Sequence, residues 1–368
     1  MKILYLMHVS WGWIKQRPHF FAEKLSQEYE ITVKYFDSLR TKHKANKKNS
    51  KLKSSPIYLP LRNSLFASKQ INRKIFQWIF KAQIGKVSQY SHVWICNILL
   101  YKYIKDYLSD NQVVIYDCMD DDFEFPNIKS NPTLASELKS LERELVNRSD
   151  VILCSSKYLA KKVSSRTKTD ISKFNIVYNG IELKNDRNSN SLDKKTEEII
   201  RSIDSYTNPI IYIGTIAEWF NFELIIKMLN DNNDIHVILF GPTEINIPKH
   251  PRLIYKGAVP REAIFKIMEK AKALIMPFIV NELIRSVNPV KLYEYIASNK
   301  PVVAPYYEEL DQFLPYIYTY GTDDEFLNLV SLLASDKLNV KQDKGSCLNF
   351  VKSNTWNGRA SQVKALLK

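Results

Sequence analysis

The sequence is poor in the residues and runs that mark several classes of protein. Its 368 residues include only 9 glycines, 15 prolines and 4 cysteines, which excludes collagen-like, disordered and disulfide-scaffold proteins. The cysteines lie far apart and form no C-x-x-C pair, a pattern that favours free thiols in a reducing compartment. No apolar run approaches the ~18–20 residues of a membrane-spanning helix. The opening MKILYLMHVSW has no small-residue cleavage site and predicts a first β-strand rather than a signal peptide.

Acidic residues are absent from one long stretch of the chain. Residues 38–105 contain no Asp or Glu, whereas 15 Lys and Arg lie there. The formal net charge of the whole chain is +14, so the rest of the protein is close to neutral. Such a local excess of positive charge predicts contact with an anionic surface, with phosphates or with nucleic acid.

Part of this basic stretch has the spacing of an amphipathic helix. Residues 64–84 carry apolar side chains at helical intervals, with basic residues such as Arg73, Lys74 and Lys81 among them. A cationic helix that also contains aromatic residues suits an anionic membrane surface. The alternative is a helix whose apolar stripe packs on the core and whose lysines are solvated. The Lys-, Asn- and Ser-rich residues 41–55 that precede it predict a loop.

Strand-like and helix-like segments alternate along the chain. One polar, charge-rich stretch interrupts this alternation, which then resumes. This pattern predicts an α/β protein with two doubly wound parallel domains. We place the first domain at residues 1–185, completed by a carboxyl-terminal helix at 354–368, a linker region at 186–207, and the second domain at 208–353. Two such domains in succession predict a ligand in the cleft between them, at the carboxyl ends of the strands.

Several motifs of common α/β enzymes and metalloproteases are missing. The chain contains no G-x-G-x-x-G, Walker P-loop, H-E-x-x-H or G-x-S-x-G. Their absence argues against classical dinucleotide-binding proteins, P-loop nucleotidases, zinc proteases of the zincin type and α/β-hydrolases.

The most informative segment reads PFIVNELIRSVNPVKLYEYIASNKPVVAPYY and predicts a strand, a loop, a helix, a turn and a strand. The helix begins at Asn288-Pro289, and its free N–H groups and dipole make an anion site. Arg285 and Lys291 flank that site and add positive charge for a diphosphate. Glu294 lies further along the helix, where a carboxylate accepts hydrogen bonds from the hydroxyls of a ribose. The alternative is an ordinary helix whose charged side chains are solvated.

Taken in order, a set of motifs resembles the GT-B glycosyltransferases, close to the GT4-like bacterial enzymes that build cell-surface polysaccharides. The motifs are WGWIKQRPHFFAEKL, YDCMDD, RSDVILCSSKYLAKKV, VYNGIE, IIYIGTIAEWFNFELI, LIYKGAV and NPVKLYEYIASNKPVVA, and they cover nearly the whole chain. The resemblance implies two Rossmann-like domains facing a cleft, with the donor nucleotide on the second domain and the acceptor on the first. It also implies a final helix that crosses back to the first domain, and no cofactor or protein-bound metal.

The resemblance also assigns donor-site residues. Gly12, Gly214, Thr215, Gly241, Val259, Arg285, Ser286, Val287, Asn288, Lys291 and Glu294 are expected at the nucleotide and its phosphates, with Lys256 near the base. Two departures from the family pattern stand out. Ser286 occupies the position of a Glu that normally touches the donor sugar, and Glu282 is near but out of register. The stretch GTIAEWFNF lacks the usual Arg and Lys, a loss for which Arg285 and Lys291 compensate.

Candidate acceptor-side residues follow the motif YDCMDDD. An inverting transfer needs a base within hydrogen-bond reach of the acceptor hydroxyl, and neighbouring carboxylates raise one another's pKa. Asp120 is our candidate base, with Asp121 second. The alternatives are a solvated acidic loop and a metal-binding Asp-x-Asp; in a retaining enzyme, Asp120 positions the acceptor instead. Arg17 and His19 are candidates for contact with phosphate or acceptor, and Trp13 for stacking on a sugar, although a structural His or a core Trp fits these positions too.

The predicted function is transfer of a sugar from a UDP-sugar donor to a glycan or lipid-linked acceptor in bacterial cell-surface polysaccharide or glycoconjugate synthesis. The predicted location is cytoplasmic, at the inner face of the cell membrane. Two alternatives share the architecture: a non-catalytic GT-B protein that binds glycans, and a sugar-nucleotide epimerase. A nucleic-acid binder is a third, but the chain has no motif that reads bases.

Overall fold

The chain divides into two compact units. A computed structural model describes residues 1–12, 15–37, 51–58, 70–183 and 192–367, with only the backbone described at 70–76. The first unit comprises Met1–Asn179 and Trp356–Lys368, and the second comprises Gly180–Thr355. Our predicted boundaries near 185 and 354 lie close to these divisions.

The first unit is built on a seven-stranded parallel sheet in the order β3-β2-β1-β4-β5-β6-β7. Its strands are β1 Lys2–Met7, β2 Glu30–Phe36, β3 Leu52–Ile57, β4 His92–Ile95, β5 Val113–Cys118, β6 Val151–Cys154 and β7 Phe174–Ile176. The central strands are continuous apolar runs, such as the fully buried residues 3–7 of β1, because helices cover both faces of the sheet. The strand order reverses between β1 and β4, which is where doubly wound sheets bind ligands.

Helices cover this sheet on both faces. They are α1 Arg17–Leu25, α2 Gln70–Ile84, α3 Ile98–Ile104, α4 Pro126–Lys129, α5 Pro132–Arg148 and α6 Lys157–Thr167, and Trp356–Leu366 at the end of the chain, numbered α14 below. Asn97, Asn131 and Ser156 begin α3, α5 and α6 by accepting a hydrogen bond from a backbone N–H of the first turn. The final helix belongs to this unit because Trp356 is 1% exposed and stacks on Phe20 of α1 with ring centroids 4.7 Å apart.

The second unit is a six-stranded parallel sheet in the order β10-β9-β8-β11-β12-β13. Its elements in chain order are α7 Lys194–Ser202, β8 Pro209–Ile213, α8 Phe222–Asp231, β9 His236–Phe240, β10 Leu253–Gly257, α9 Ile264–Lys270, β11 Ala273–Ile275, α10 Glu282–Arg285, α11 Val290–Ala297, β12 Val302–Pro305, β13 Tyr318–Tyr320, α12 Asp323–Ala334 and α13 Lys344–Ser353. The strand order reverses between β8 and β11, so the loops after these two strands form the expected ligand-binding edge.

Two segments differ from the sequence-based prediction. Residues 41–55 were predicted as a loop, but Leu52–Ile57 pairs with β2 as the edge strand β3. The segment LKSSPI has no clear alternation, and its Pro56 is tolerated only because the strand lies at an edge. The linker region at 186–207 contains α7, and Ile200 and Ile203 of this segment are buried in the core of the second unit.

Candidate functional site

In the second unit, two glycines allow the ends of β8 and β9 to approach each other. Gly214 and Gly241 have φ values of +155° and +129°, which L side chains rarely adopt. A Cβ on Gly241 would overlap the carbonyl of Gly214, and a Cβ on Gly214 would overlap the Cε of Lys291. The side chain of Lys291 therefore lies directly against the Gly214 backbone, at the edge where the strand order reverses.

The first turn of α11 leaves backbone donors for a ligand. Pro289 precedes the helix and no side chain caps it, so the first N–H groups of α11 have no side-chain partner. Burial lowers the pKa of Lys291, against the opposing effect of Glu294. The Nζ of Lys291 lies 5.8 Å from the ring centroid of Tyr212. An uncapped helix start beside an enclosed ammonium is an arrangement that binds phosphate groups.

Glu294 lies one turn after Lys291 on the same side of α11. Its side chain is 14% exposed and one carboxylate oxygen lies 3.5 Å from Nη2 of Arg261. Burial raises the pKa of Glu294, while Arg261 and Lys291 oppose that rise. We did not expect Arg261 at the site. Nothing in the sequence around Arg261 predicts its contact with Glu294.

The loop 286–288 turns its polar side chains inward. Ser286 is fully buried and donates to the carbonyl of Leu283 at 2.6 Å. Asn288 is 1% exposed and its Oδ1 accepts a hydrogen bond from Tyr293 at 3.3 Å. Val287 is half-buried. The side chains of Ser286 and Asn288 thus support the loop, and the expected contact of this loop with the diphosphate stays a prediction.

Arg285 is held by two carboxylates. Its Nη2 and Nε lie 2.6 and 3.4 Å from the two carboxylate oxygens of Glu308, and its Nη1 lies 3.4 Å from Glu282. A phosphate would compete with Glu308 and Glu282 for this guanidinium. Lys291 is therefore the better placed of the two cations that we expected at the diphosphate.

The remaining donor-site candidates of the second unit, apart from Lys256, lie around the same edge. The carbonyl of Thr215 accepts a hydrogen bond from Tyr212 at 2.6 Å. The carbonyl of Gly241 accepts one from Tyr255 at 2.8 Å, and half-buried Val259 packs on the core. The Nζ of Lys256 instead lies 5.2 Å from the ring centroid of Tyr206. Tyr206 precedes β8, and the expected position of Lys256 near the base stays a prediction.

In the first unit, Asp120 follows β5 with a carboxylate that accepts no hydrogen bond from the described residues. Burial raises its pKa to about 6; Asp117 and Asp121 add to the rise and Arg17 opposes it. A partly exposed carboxylate with this pKa is ionised at neutral pH and still a useful proton acceptor.

The two following aspartates are held by neighbours. Asp121 is fully buried, 2.8 Å from Nζ of Lys162 and 3.2 Å from Nη1 of Arg166. The charge of Asp121 is thus paired inside the unit, and its second-choice role as base stays a prediction. Asp122 accepts both of its hydrogen bonds, at 3.0 and 3.1 Å, from the side-chain amide of Asn97, and burial raises its pKa to about 8. Asn97 lies two residues after the end of β4, and our sequence reasoning did not name it as a candidate.

Arg17 and His19 are interior residues, and their expected contact with acceptor or phosphate stays a prediction. Arg17 is 3% exposed, and its Nε lies 2.9 Å from an oxygen of fully buried Asp117. His19 is 1% exposed; its Nδ1 accepts from the backbone N–H of Gln16, and its Nε2 donates to the carbonyl of Ser10 at 3.0 Å. Burial lowers the pKa of His19, consistent with a neutral ring that has both nitrogens in use.

The two remaining candidates belong to the loop between β1 and α1. Gly12 is exposed in this loop. Trp13 lies outside the described residues, so its predicted contact with a sugar stays a prediction. His19 braces the two ends of the same loop through its bonds to Ser10 and Gln16.

Within the described part of the chain, no group of three or more His, Cys, Asp or Glu side chains is arranged to hold a metal ion. No helix in the same residues is long and apolar enough to cross a membrane.

Two successive doubly wound parallel sheets, with the last helix of the chain packed on the first, define the GT-B fold. Solved structures agree. Sucrose-phosphate synthase from Thermosynechococcus elongatus is 11% identical with a TM-score of 0.74, covering 100% of this chain and 98% of that one. HepE from Anabaena, solved in complex with UDP, is 11% identical with a TM-score of 0.68, covering 100% and 99%. At such identities the likeness establishes the fold alone, and the predicted GT-B fold is confirmed.

Sequence comparison adds one curated relative. TuaH of Bacillus subtilis (strain 168), provisionally assigned as a teichuronic acid biosynthesis glycosyltransferase, is 28% identical over 233 residues. The match covers 59% of this chain and 57% of TuaH, so it spans little more than half of the relative. No family model matches the chain. The resemblance to GT-B glycosyltransferases that the motifs indicate is confirmed by these comparisons.

Proposed function

We propose that the protein is a glycosyltransferase that moves a sugar from a UDP-sugar to a glycan or lipid-linked acceptor in bacterial cell-surface polysaccharide or glycoconjugate synthesis. The observation that carries this proposal is the packing of Lys291 against Gly214 beside the uncapped start of α11, with Glu294 one turn further on. The UDP complex of HepE and the assignment of TuaH support it.

In this proposal the second unit binds the donor. The diphosphate accepts hydrogen bonds from the first N–H groups of α11 and faces Lys291, whose pKa the two negative charges raise back toward its usual range. Glu294 accepts hydrogen bonds from the ribose hydroxyls. When the bond between the sugar and the β-phosphate breaks, negative charge grows on the leaving UDP. The helix start and the lysine stabilise that charge, so the chemistry proposed here uses no protein-bound metal.

The first unit supplies the acceptor side in this proposal. In an inverting transfer, the carboxylate of Asp120 takes the proton from the attacking acceptor hydroxyl. In a retaining transfer no such base is needed, and Asp120 accepts a hydrogen bond from the acceptor and positions it. The free carboxylate and the pKa near 6 suit both roles.

The test is a thermal-shift screen of the whole chain against nucleotides and nucleotide sugars, followed by a transfer assay. A ligand at 100 times its Kd raises the free energy of unfolding by about 2.7 kcal/mol, so UDP and one or more UDP-sugars should raise Tm measurably. No shift with any uridine nucleotide would contradict the proposal. Product formed without an acceptor would indicate an epimerase. Binding without transfer or hydrolysis would indicate a non-catalytic glycan-binding protein.

We further propose that residues 64–84 contact an anionic membrane surface at the cytoplasmic face. Helix α2 buries Phe80 and Ile84, whereas Trp78 is 70% exposed and Lys81 is exposed. An exposed tryptophan beside lysines is typical of helices that lie in a lipid interface. Residues 59–69 lie outside the described residues, as do the side chains at 70–76.

Vesicle sedimentation tests the membrane contact. Replacing Arg73, Lys74 and Lys81 with glutamine should weaken binding to vesicles that contain phosphatidylglycerol and leave UDP binding intact, since each basic residue near such a surface contributes about 1 kcal/mol. Replacing Lys337, Lys344 and Lys352 of the second unit, which are exposed, with glutamine removes the same number of charges and is the matched control. Equal vesicle binding by both variants would contradict the proposal, as would tighter binding to nucleic acid than to vesicles.

A further inference from the structure

The strand β8 loses one of its two neighbours before it ends. Its pairing with β9 continues to Ile213, whereas its pairing with β11 stops at Ile211. The N–H of Gly214 donates to the carbonyl of Phe240, the last residue of β9. Successive residues of a strand direct their N–H and C=O groups to opposite sides, so those of Ile213 face the β11 side, where the pairing has ended.

A tyrosine of α11 meets these two backbone groups. The hydroxyl oxygen of Tyr295 accepts a hydrogen bond from the N–H of Ile213 at 2.9 Å and lies 3.4 Å from the carbonyl oxygen of the same residue. Tyr295 is 1% exposed, and a buried N–H without a partner is costly. The hydroxyl of Tyr295 therefore takes the place of β11 at this residue and ties α11 to the end of β8.

Lys291 makes a second contact between α11 and the end of β8. It lies four residues before Tyr295, on the same side of the helix. A Cβ added to Gly214 would overlap the Cε of Lys291, so this side chain lies against the residue that follows Ile213. One face of α11 thus contacts two consecutive residues of the chain, with Tyr295 at Ile213 and Lys291 at Gly214.

A second tyrosine hydroxyl holds the other side of Gly214. Tyr212 of β8 donates from its hydroxyl to the carbonyl of Thr215 at 2.6 Å, and the Nζ of Lys291 lies 5.8 Å from its ring centroid. One hydroxyl therefore ties the backbone just before Gly214, and the other ties it just after. Because Lys291 lies against Gly214, the position of its ammonium depends on these two hydrogen bonds.

We propose that Tyr295 is a positioning residue for the diphosphate of the donor. Its hydroxyl fixes the end of β8 against α11, and this contact sets where the ammonium of Lys291 meets the phosphates. Tyr295 is buried and acts in this proposal through Lys291. The inference rests on the proposed function, which puts the diphosphate at the start of α11.

Calorimetric titration of the full chain with UDP tests this role. Tyr295→Phe removes only the hydroxyl group, and we expect the Kd for UDP to rise about fivefold, the change that corresponds to one hydrogen bond. In a chain that already carries Lys291→Ala, the same substitution should change the Kd by less than about twofold, because the residue through which it acts is gone. Tyr318→Phe is the matched control and should bind UDP as the wild type does, since its hydroxyl donates to the carbonyl of Asn339 elsewhere in the same unit.

A merely structural role predicts a different result. In that case Tyr295→Phe would lower Tm and leave the Kd for UDP within about twofold of the wild-type value, which would overturn the proposal. An equal rise in Kd with and without Lys291 would overturn it too, because Tyr295 would then act through another contact. Thermal unfolding shows whether each variant is folded. Should Tyr295→Phe fail to fold, Tyr212→Phe takes its place with the same expected and contradicting results.

The proposed function and this inference fail in different ways. If the wild-type chain does not bind UDP, or if Lys291→Ala alone leaves the affinity unchanged, the proposed function fails and this inference fails with it. If both of those tests succeed and the hydroxyl of Tyr295 has no effect on the Kd for UDP, only this inference is overturned.

Discussion

Replacing Asp120 with asparagine separates its chemical role from its effect on folding. The substitution keeps the size of the side chain and removes its ability to take a proton. In an inverting transfer we expect turnover to fall by about 10²–10⁴-fold, the usual contribution of a general base. The Kd for UDP should not change, because Lys291, Glu294 and the start of α11, which hold the donor in this proposal, belong to the other unit.

The same substitution should stabilise the fold in a pH-dependent way. Burial raises the pKa of Asp120 from 3.8 to about 6, a shift of roughly two units at about 1.4 kcal/mol each. As the pH rises from about 4 to 6, the unfolded chain loses this proton while the folded chain keeps it, so the carboxyl group progressively destabilises the fold. Asp120→Asn removes that cost, which is at most about 3 kcal/mol. We expect a gain in Tm at pH 8 that disappears near pH 4.

Two assays check these expectations, with exposed Asp110→Asn as the matched control. The wild-type rate should fall about tenfold for each pH unit below about 6, as the base becomes protonated. Near-normal turnover in Asp120→Asn would rule out a general base at this position. A gain in stability that is the same at pH 4 and pH 8 would refute the assignment of a raised pKa.

Three other changes have definite expected outcomes. Arg17→Met leaves the carboxylate of Asp117 buried and unpaired, so the free energy of unfolding measured in urea should fall by about 3–5 kcal/mol; a loss below 1 kcal/mol would contradict the interior ion pair. Gly241→Ala should weaken UDP binding at least tenfold, because the new Cβ overlaps the carbonyl of Gly214, whereas Gly85→Ala, where a Cβ meets no atom within 4 Å, should not affect it; equal UDP affinities would refute the close approach. Trp78→Ala should reduce binding to phosphatidylglycerol vesicles, and an unchanged bound fraction would rule out insertion of this side chain.

The fold follows from the sequence to a large extent because its signals are local. Continuous apolar runs such as Ile3–Met7 can be buried only between two layers of helices, which fixes the doubly wound class. The edge strand β3 could not be predicted, because LKSSPI lacks a periodic pattern and is held by its pairing with β2. The helix α7 was missed for a related reason, since its buried positions are few and its surroundings are rich in charge.

The side-chain contacts of the candidate site were harder to predict from the sequence, because the folded structure determines which charged groups lie close together. Arg17 and Asp117 are 100 positions apart and meet only when α1 packs beside β5. Lys162 pairs with Asp121 in the same way. Some motif residues thus form ion pairs that stabilise the structure around the site, and others have side chains that a ligand can contact. Lys291, Glu294 and Asp120 remain the strongest candidates for chemistry.

Titration calorimetry of UDP with the wild-type chain and with Lys291→Ala and Glu294→Ala tests the central claim most directly. Each variant removes a charged contact worth about 1.5–3 kcal/mol, so we expect the Kd for UDP to rise by about 10–100-fold in both. Lys270→Ala, which breaks only an exposed ion pair with Asp204, should bind UDP as the wild type does. Equal UDP affinity in all four proteins would contradict the claim that the start of α11 holds the donor.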